Sequence, residues 1–290
     1  MRHALLSLLL LLPVLLPVLG CSGKRPVAPA DVLWKDGNQA FDDEAYERAI
    51  EQYKALLDQH PFDPNVEEAE LKVALSYFLS ERYAEAVVAF GDFERMHPTS
   101  DRLAMVEYHL GLCYLAQAST SDRDQQSVQN ALQYFRNMSD RFPGSPWAEK
   151  AALRAQECRE SLASHERDVA CYYLRRGNLI GAEARLRTLL SDYLDTTAAV
   201  DALTAFADAY DHRSEADLAT LARATIVAHH PDTPEAVKAR EALTGDSPQG
   251  DPLPELMARL SSLAGESERH KVPPTVSAYP NTPGGGPTSY

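Results

Sequence analysis

Four cysteines, two adjacent histidines and one Asp-Arg-Asp run are the residues of this 290-residue chain whose types and spacing invite chemistry. The thiol of Cys21 is the one placed for covalent modification, because it follows an apolar leader and the small residue Gly20. Cys113 falls between Gly111 and Tyr114 on an apolar face and reads as a small core residue. Cys158 and Cys171 are expected on one helix about 20 Å apart, beyond the ~7 Å a disulfide bridges. Asp122-Arg123-Asp124-Gln125 lacks the glycine and distal glutamate of a calcium loop. His229-His230-Pro231 has no third or fourth metal ligand near it in sequence and reads as a helix end, where imidazoles meet free carbonyls. No nucleophile elbow, phosphate loop or cysteine quartet occurs, so no catalytic residue, metal site or cofactor is expected.

The leader sets the cellular context. Residues 1–20 open with Arg2 and His3 and continue through a leucine-rich run broken by Pro13 and Pro17. That run is shorter than the ~20 apolar residues needed to cross ~30 Å of hydrocarbon, so it predicts a signal peptide rather than a membrane span. Val18-Leu19-Gly20-Cys21 resembles a bacterial lipobox, whose cysteine is diacylglycerated and becomes the mature N-terminus. Each buried methylene of an acyl chain such as palmitate contributes about 0.8 kcal/mol, so two or three chains anchor a body that does not span. Residues 21–30 then form a lipidated tether. Ser22, where Asp does not follow the cysteine, resembles lipoproteins sorted to the outer membrane, with the body on the periplasmic face.

The elements that position everything else are written as a repeat. Tyr46, Ala49, Tyr53, Leu56 and Pro61 recur 37 residues on as Tyr83, Ala86, Phe90, Phe93 and Pro98. They recur again as Val128, Ala131, Phe135, Met138 and Pro143, then as Leu179, Ala182, Leu186, Leu189 and Leu194. The fifth set, Ala216, Ala219, Arg223, Ile226 and Pro231, is the weakest because Arg223 replaces an apolar residue. Spacings of three, four and three put these residues on one helical face. Small residues precede each set, namely Gly37, Ala74, Gly111, Ala170 and Ala207, where two helices cross closely. The pattern resembles the tetratricopeptide repeat. It predicts an all-α solenoid of five helical hairpins over residues 31–245. One long helix is expected from about Pro146 to Arg176, because a 14-residue insertion adds nearly four whole turns. Residues 119–127 are polar and read as an exposed loop.

Composition divides the remainder. Thirteen of the 33 prolines and glycines fall in residues 246–290, which read as a disordered tail containing one apolar patch, 253–263, able to form a short helix. The formal net charge of -14 makes nucleic acid an unfavourable partner. Residues 31–110 carry 18 acidic and 7 basic side chains, whereas residues 150–187 carry 8 basic and 5 acidic. The second segment is rich in arginine, which favours planar pairing with carboxylates.

Between residues 122 and 196, order and spacing resemble the BamD family of outer-membrane β-barrel assembly lipoproteins. The matching residues are Asp122-Arg123-Asp124-Gln125, Phe142-Pro143-Gly144-Ser145, Tyr172-Tyr173, Arg176-Gly177 and Asp192-Tyr193 with Asp195-Thr196. The resemblance implies a non-enzymatic assembly factor that binds unfolded outer-membrane proteins, works beside other assembly lipoproteins and docks on a POTRA domain of the BamA-type insertase. It further implies that Arg185 pairs with a POTRA carboxylate, with Arg176 as a neighbour. Substrate contact is implied at the turn after the first unit, His60-Pro61-Phe62-Asp63-Pro64, centred on Phe62 and Asp63, although His60 and Asp63 depart from the family's usual pattern. The competing reading is a periplasmic tetratricopeptide scaffold coordinating cell-wall synthesis or Tol-Pal function, since Phe142-Pro143-Gly144-Ser145 also suits that class. An enzyme built on a concave carboxylate pair is the third reading, and the sequence offers no such pair.

Overall fold

A computed structural model describes residues 27–118, 125–243 and 250–260. The leader, Cys21, most of the 119–127 loop and the tail after 260 lie outside the described residues. Ten helices form five antiparallel hairpins: α1 (Ala30–Asp42) with α2 (Tyr46–Gln59), α3 (Val66–Leu79) with α4 (Tyr83–Met96), α5 (Leu103–Gln117) with α6 (Gln126–Arg141), α7 (Pro146–Arg175) with α8 (Leu179–Asp192), and α9 (Thr197–His212) with α10 (Ala216–His229). A further helix, α11 (Pro234–Ala242), follows, and residues 253–260 form another, α12. No described helix is long and apolar enough to cross a membrane.

The repeated apolar set is the core. Tyr53, Leu56, Phe90, Phe93, Phe135, Met138, Leu186, Leu189 and Ile226 are all buried. Arg223, the exception, turns to α9 and forms ion pairs with Asp211 and Asp208, which satisfies its charge at a position the other units fill with hydrocarbon. Glycine is required at two crossings. A Cβ on Gly37 would lie 2.7 Å from the Tyr53 ring, and one on Gly111 would collide with Phe135.

Each hairpin turn without an insertion closes in the same way. Glu44, Glu81, Gly177 and Ser214 have φ of 58°, 61°, 71° and 61°. The following amide donates to the carbonyl five residues before it, as in Ala45 N to Ala40 O at 2.8 Å and Arg82 N to Tyr77 O at 2.9 Å, the Schellman pattern. The left-handed conformation suits glycine and is strained for a residue with a Cβ. Replacing Glu44 and Glu81 together by Gly is therefore expected to stabilise the chain by about 0.5–1 kcal/mol per site. A urea midpoint that fails to rise in the double variant would contradict that expectation.

The second helix of every unit ends on an aromatic residue: His60, His97, Phe142, Tyr193 and His230. Nε2 of His60 bonds the carbonyl of Ala28 at 2.7 Å, and Nε2 of His230 bonds that of Leu194 at 2.6 Å. The carbonyl met by His230 thus belongs to the preceding turn, not to its own helix. His230 leaves the helical conformation, with φ -132° and ψ 51°.

The 30-residue α7 is continuous and roughly 45 Å long at 1.5 Å per residue. Pro146 occupies its first position, and the hydroxyl of Ser145 accepts from Trp147 N. Its length lets it touch α5, α6, α8 and α9, so it ties the third unit to the fifth. Glu160 on α7 caps the start of α9, accepting from Thr197 N and Ala198 N at 3.0 Å each. Cys158 and Cys171 are both free on this helix, and Cys113 is buried.

Within the tail, the apolar patch read in sequence as able to form a short helix is helical over 253–260. Helix α12 buries Leu256 and Leu260 in the apolar cluster that holds Leu218, Leu221 and Ala222. The carboxylate of Asp251 accepts from Leu253 N at 3.0 Å and from Nε2 of His229 at 2.9 Å, fixing the start of α12 beside the end of α10.

Candidate functional site

Two surfaces hold the residues singled out by sequence. The first is the α7–α8 turn. Arg185 on α8 is 44% exposed and places Nη1 3.1 Å from both carboxylate oxygens of Glu166 on α7. Arg176 ends α7, with its guanidinium 5.4 Å from the Tyr172 ring centroid. Tyr172 and Ile180 are exposed on either side of the turn. Arg175 and Arg176 are exposed, and neither forms an ion pair among the described residues.

The rest of the basic segment is already engaged. Arg154 pairs with Glu157, Arg159 with Asp195, and Arg167 with Asp168 and Asp201. Lys150 sits 4.4 Å over the Trp147 ring. A segment that counts as a basic patch in sequence is therefore largely neutralised within the fold. Its positive character concentrates at the turn, where cationic and aromatic groups lie together. Such a combination suits a partner presenting carboxylates on a partly apolar surface.

The second surface is the α2–α3 turn. Phe62 is 98% exposed, the most exposed of the large apolar side chains described. Asp63 is turned inward on its own loop, and its Oδ1 accepts from Asn65 N and Nδ2 at 2.9 Å each. Phe62 is thus presented outward by a turn that Asp63 and the His60–Ala28 bond hold in shape. Beside this turn, between α2 and α4, an apolar groove of about 560 Å³ runs over α3.

Residues 26–226 match the model of the family described as YfiO, outer membrane lipoprotein. The chain belongs to this family. The outer membrane protein assembly factor BamD of Vibrio cholerae is 30% identical over 72% of this chain and 91% of its own length. BamD of Xylella fastidiosa strain 9a5c is 30% identical over 82% of this chain and 79% of its own length. BamD of Rickettsia prowazekii is 29% identical over 71% and 83%. The YfiO match stops short of α11 and α12, so those helices lie outside the segment on which the family is recognised.

Sequence reasoning missed two buried acids in this YfiO-family fold. Glu183 on α8 is 2% exposed and accepts from the Tyr210 hydroxyl at 3.1 Å. Burial, reinforced by Glu215, raises its carboxyl to about 7. Glu107 on α5 is equally buried and is also raised to about 7 by desolvation, against the opposing pull of Arg141, with which it forms an ion pair. Each lies among the apolar positions of its helix, and a buried acid gives no signal in charge counts. The thiols of Cys113 and Cys158 are pushed up to about 12 and 11 by burial, which disfavours the reactive thiolate.

Proposed function

We propose that this chain is a non-enzymatic component of the outer-membrane β-barrel assembly machinery. In this reading it is held on the periplasmic face of the outer membrane by acyl chains on Cys21. It binds a POTRA domain of a BamA-type insertase through the α7–α8 turn, and unfolded outer-membrane proteins through the surface around Phe62. Family membership and the names of the relatives support the assembly role. The observations that carry the docking site are the half-exposed Arg185, held by Glu166, and the exposed Tyr172, Arg175, Arg176 and Ile180 at the turn of the same α7–α8 hairpin.

Glu166 holds Arg185 in place without burying it, so an incoming carboxylate would share a pre-oriented guanidinium. Arg185→Glu would set two carboxylates side by side and repel that partner. Because the pair is half-exposed, the expected loss is about 1–2 kcal/mol, roughly a five- to thirtyfold weaker complex, below the loss for a fully buried pair. Affinity capture from detergent-solubilised outer membrane is the direct test. Recovery of a barrel insertase, reduced by Arg185→Glu and retained by Glu166→Gln, is the expected result. Recovery of wall synthases or Tol components instead would refute the assembly reading, and undiminished capture by Arg185→Glu would remove that residue from the interface.

A further inference from the structure

Units one and two align with units four and five without a gap, at a constant offset of 133 residues. Helix α4 at 83–96 falls on α10 at 216–229, and α2 at 46–59 falls on α8 at 179–192. The groove between α2 and α4 therefore has a counterpart between α8 and α10, and the two differ in exposure and in charge. In the N-terminal groove Val88 is 64% exposed and Met96 46%. Leu221, the counterpart of Val88, is 4% exposed, and Leu218, the counterpart of the exposed Glu85, is also buried.

What covers the C-terminal positions is α12. Its Leu253, Leu256, Met257 and Leu260 join the cluster containing Leu218, Leu221 and Ala222. Asp251, just before α12, bonds His229, the counterpart of Met96, at one end of α10. At the other end Arg259 lies beside 214–218. Helix α12 thus runs antiparallel along α10, with apolar residues at i, i+3, i+4 and i+7, the spacing of one helical face.

We infer that the open groove between α2 and α4 docks a short amphipathic helix of a partner protein, with an apolar i, i+3, i+4, i+7 face and a basic polar face. The occupied counterpart supplies the shape, and charge supplies the choice of partner. Glu70, Glu85 and Asp92 edge the N-terminal groove, whereas Leu203, Leu218 and Thr225 stand at the matching positions of the C-terminal one. Arg82, Arg95 and His97 pair with these acids, yet residues 31–110 still hold 18 acidic against 7 basic side chains. Lys54, the cation on the edge, donates to the Tyr77 hydroxyl at 2.7 Å. The chain's own α12, with one Glu and one Arg, matches the neutral groove and not the acidic one.

Fluorescence anisotropy on the full-length chain tests the inference, with a labelled designed helical peptide carrying leucine at the four face positions and lysine outward. Saturable binding is expected. It should weaken about tenfold or more in Val88→Lys, a substitution at an exposed site that leaves folding intact, and by a similar factor when glutamate replaces lysine in the peptide. Equal affinity for Val88→Lys would overturn the site. Equal binding of a peptide with a central proline would make the occupant an extended segment and overturn the helix. Concentration-dependent dimers in sedimentation, lost in Val88→Lys, would make the occupant a second copy. The inference does not rest on the POTRA reading, and neither test decides the other.

Discussion

Replacing Leu256 and Leu260 together by Asp is expected to detach α12 and lower the unfolding free energy by about 4–6 kcal/mol. Both side chains are essentially fully buried, and truncating a buried leucine costs about 2–5 kcal/mol. The two sites share one cluster, so their costs overlap and the total stays below their sum. Detachment also uncovers Leu218 and Leu221, which removes the outer packing of α10. A solenoid is stabilised by neighbour-to-neighbour contacts, so the loss should be local to the C-terminal units. Denaturant unfolding of the full chain reads the magnitude, and hydrogen exchange reads the place. Fast exchange confined to α8–α11 is the expected pattern. An unchanged midpoint would mean that α12 contributes nothing to the fold.

Glu183→Gln is expected to stabilise the protein by about 2–3 kcal/mol at pH 8 and to make little difference near pH 4. The carboxyl of Glu183 rises to about 7 in the folded chain, from the ordinary value of 4.5. Between those values the folded state holds a proton that the unfolded state has released, so stability falls as pH rises through that window. Above about 7 the buried group is ionised and its unfavourable desolvation is fully expressed. Glutamine carries no charge and keeps an oxygen to accept from Tyr210, which sits 3.1 Å away. Unfolding free energies of both proteins at pH 4.5 and pH 8 check the sign. A gap that is absent at pH 8, or equally large at pH 4.5, would show that Glu183 does not titrate this way. Glu107 adds a slope in the same direction, so the variant should flatten the pH dependence of the wild type without abolishing it.

How much of this was legible beforehand varies by residue. The five hairpins follow from the repeat, and α7 runs from Pro146 to within one residue of its expected end. The Arg223 irregularity was visible as a mismatch, but its resolution by Asp211 and Asp208 was not. Arg159 and Arg167 counted toward a basic patch in sequence and are paired in the fold with Asp195 and Asp201, more than thirty positions away. Phe62 and Asp63 were singled out together, yet one points to solvent and the other braces the turn.

By itself the sequence determined five helical hairpins and their register. Helical periodicity and the small residues at crossings are local signals, complete within about forty residues of chain. Only the tertiary structure decided which arginines remain available, which acids are buried and where α12 lies. Those outcomes depend on side chains that meet across unit boundaries, and no period in the chain records which ion pair or which groove a distant segment will fill.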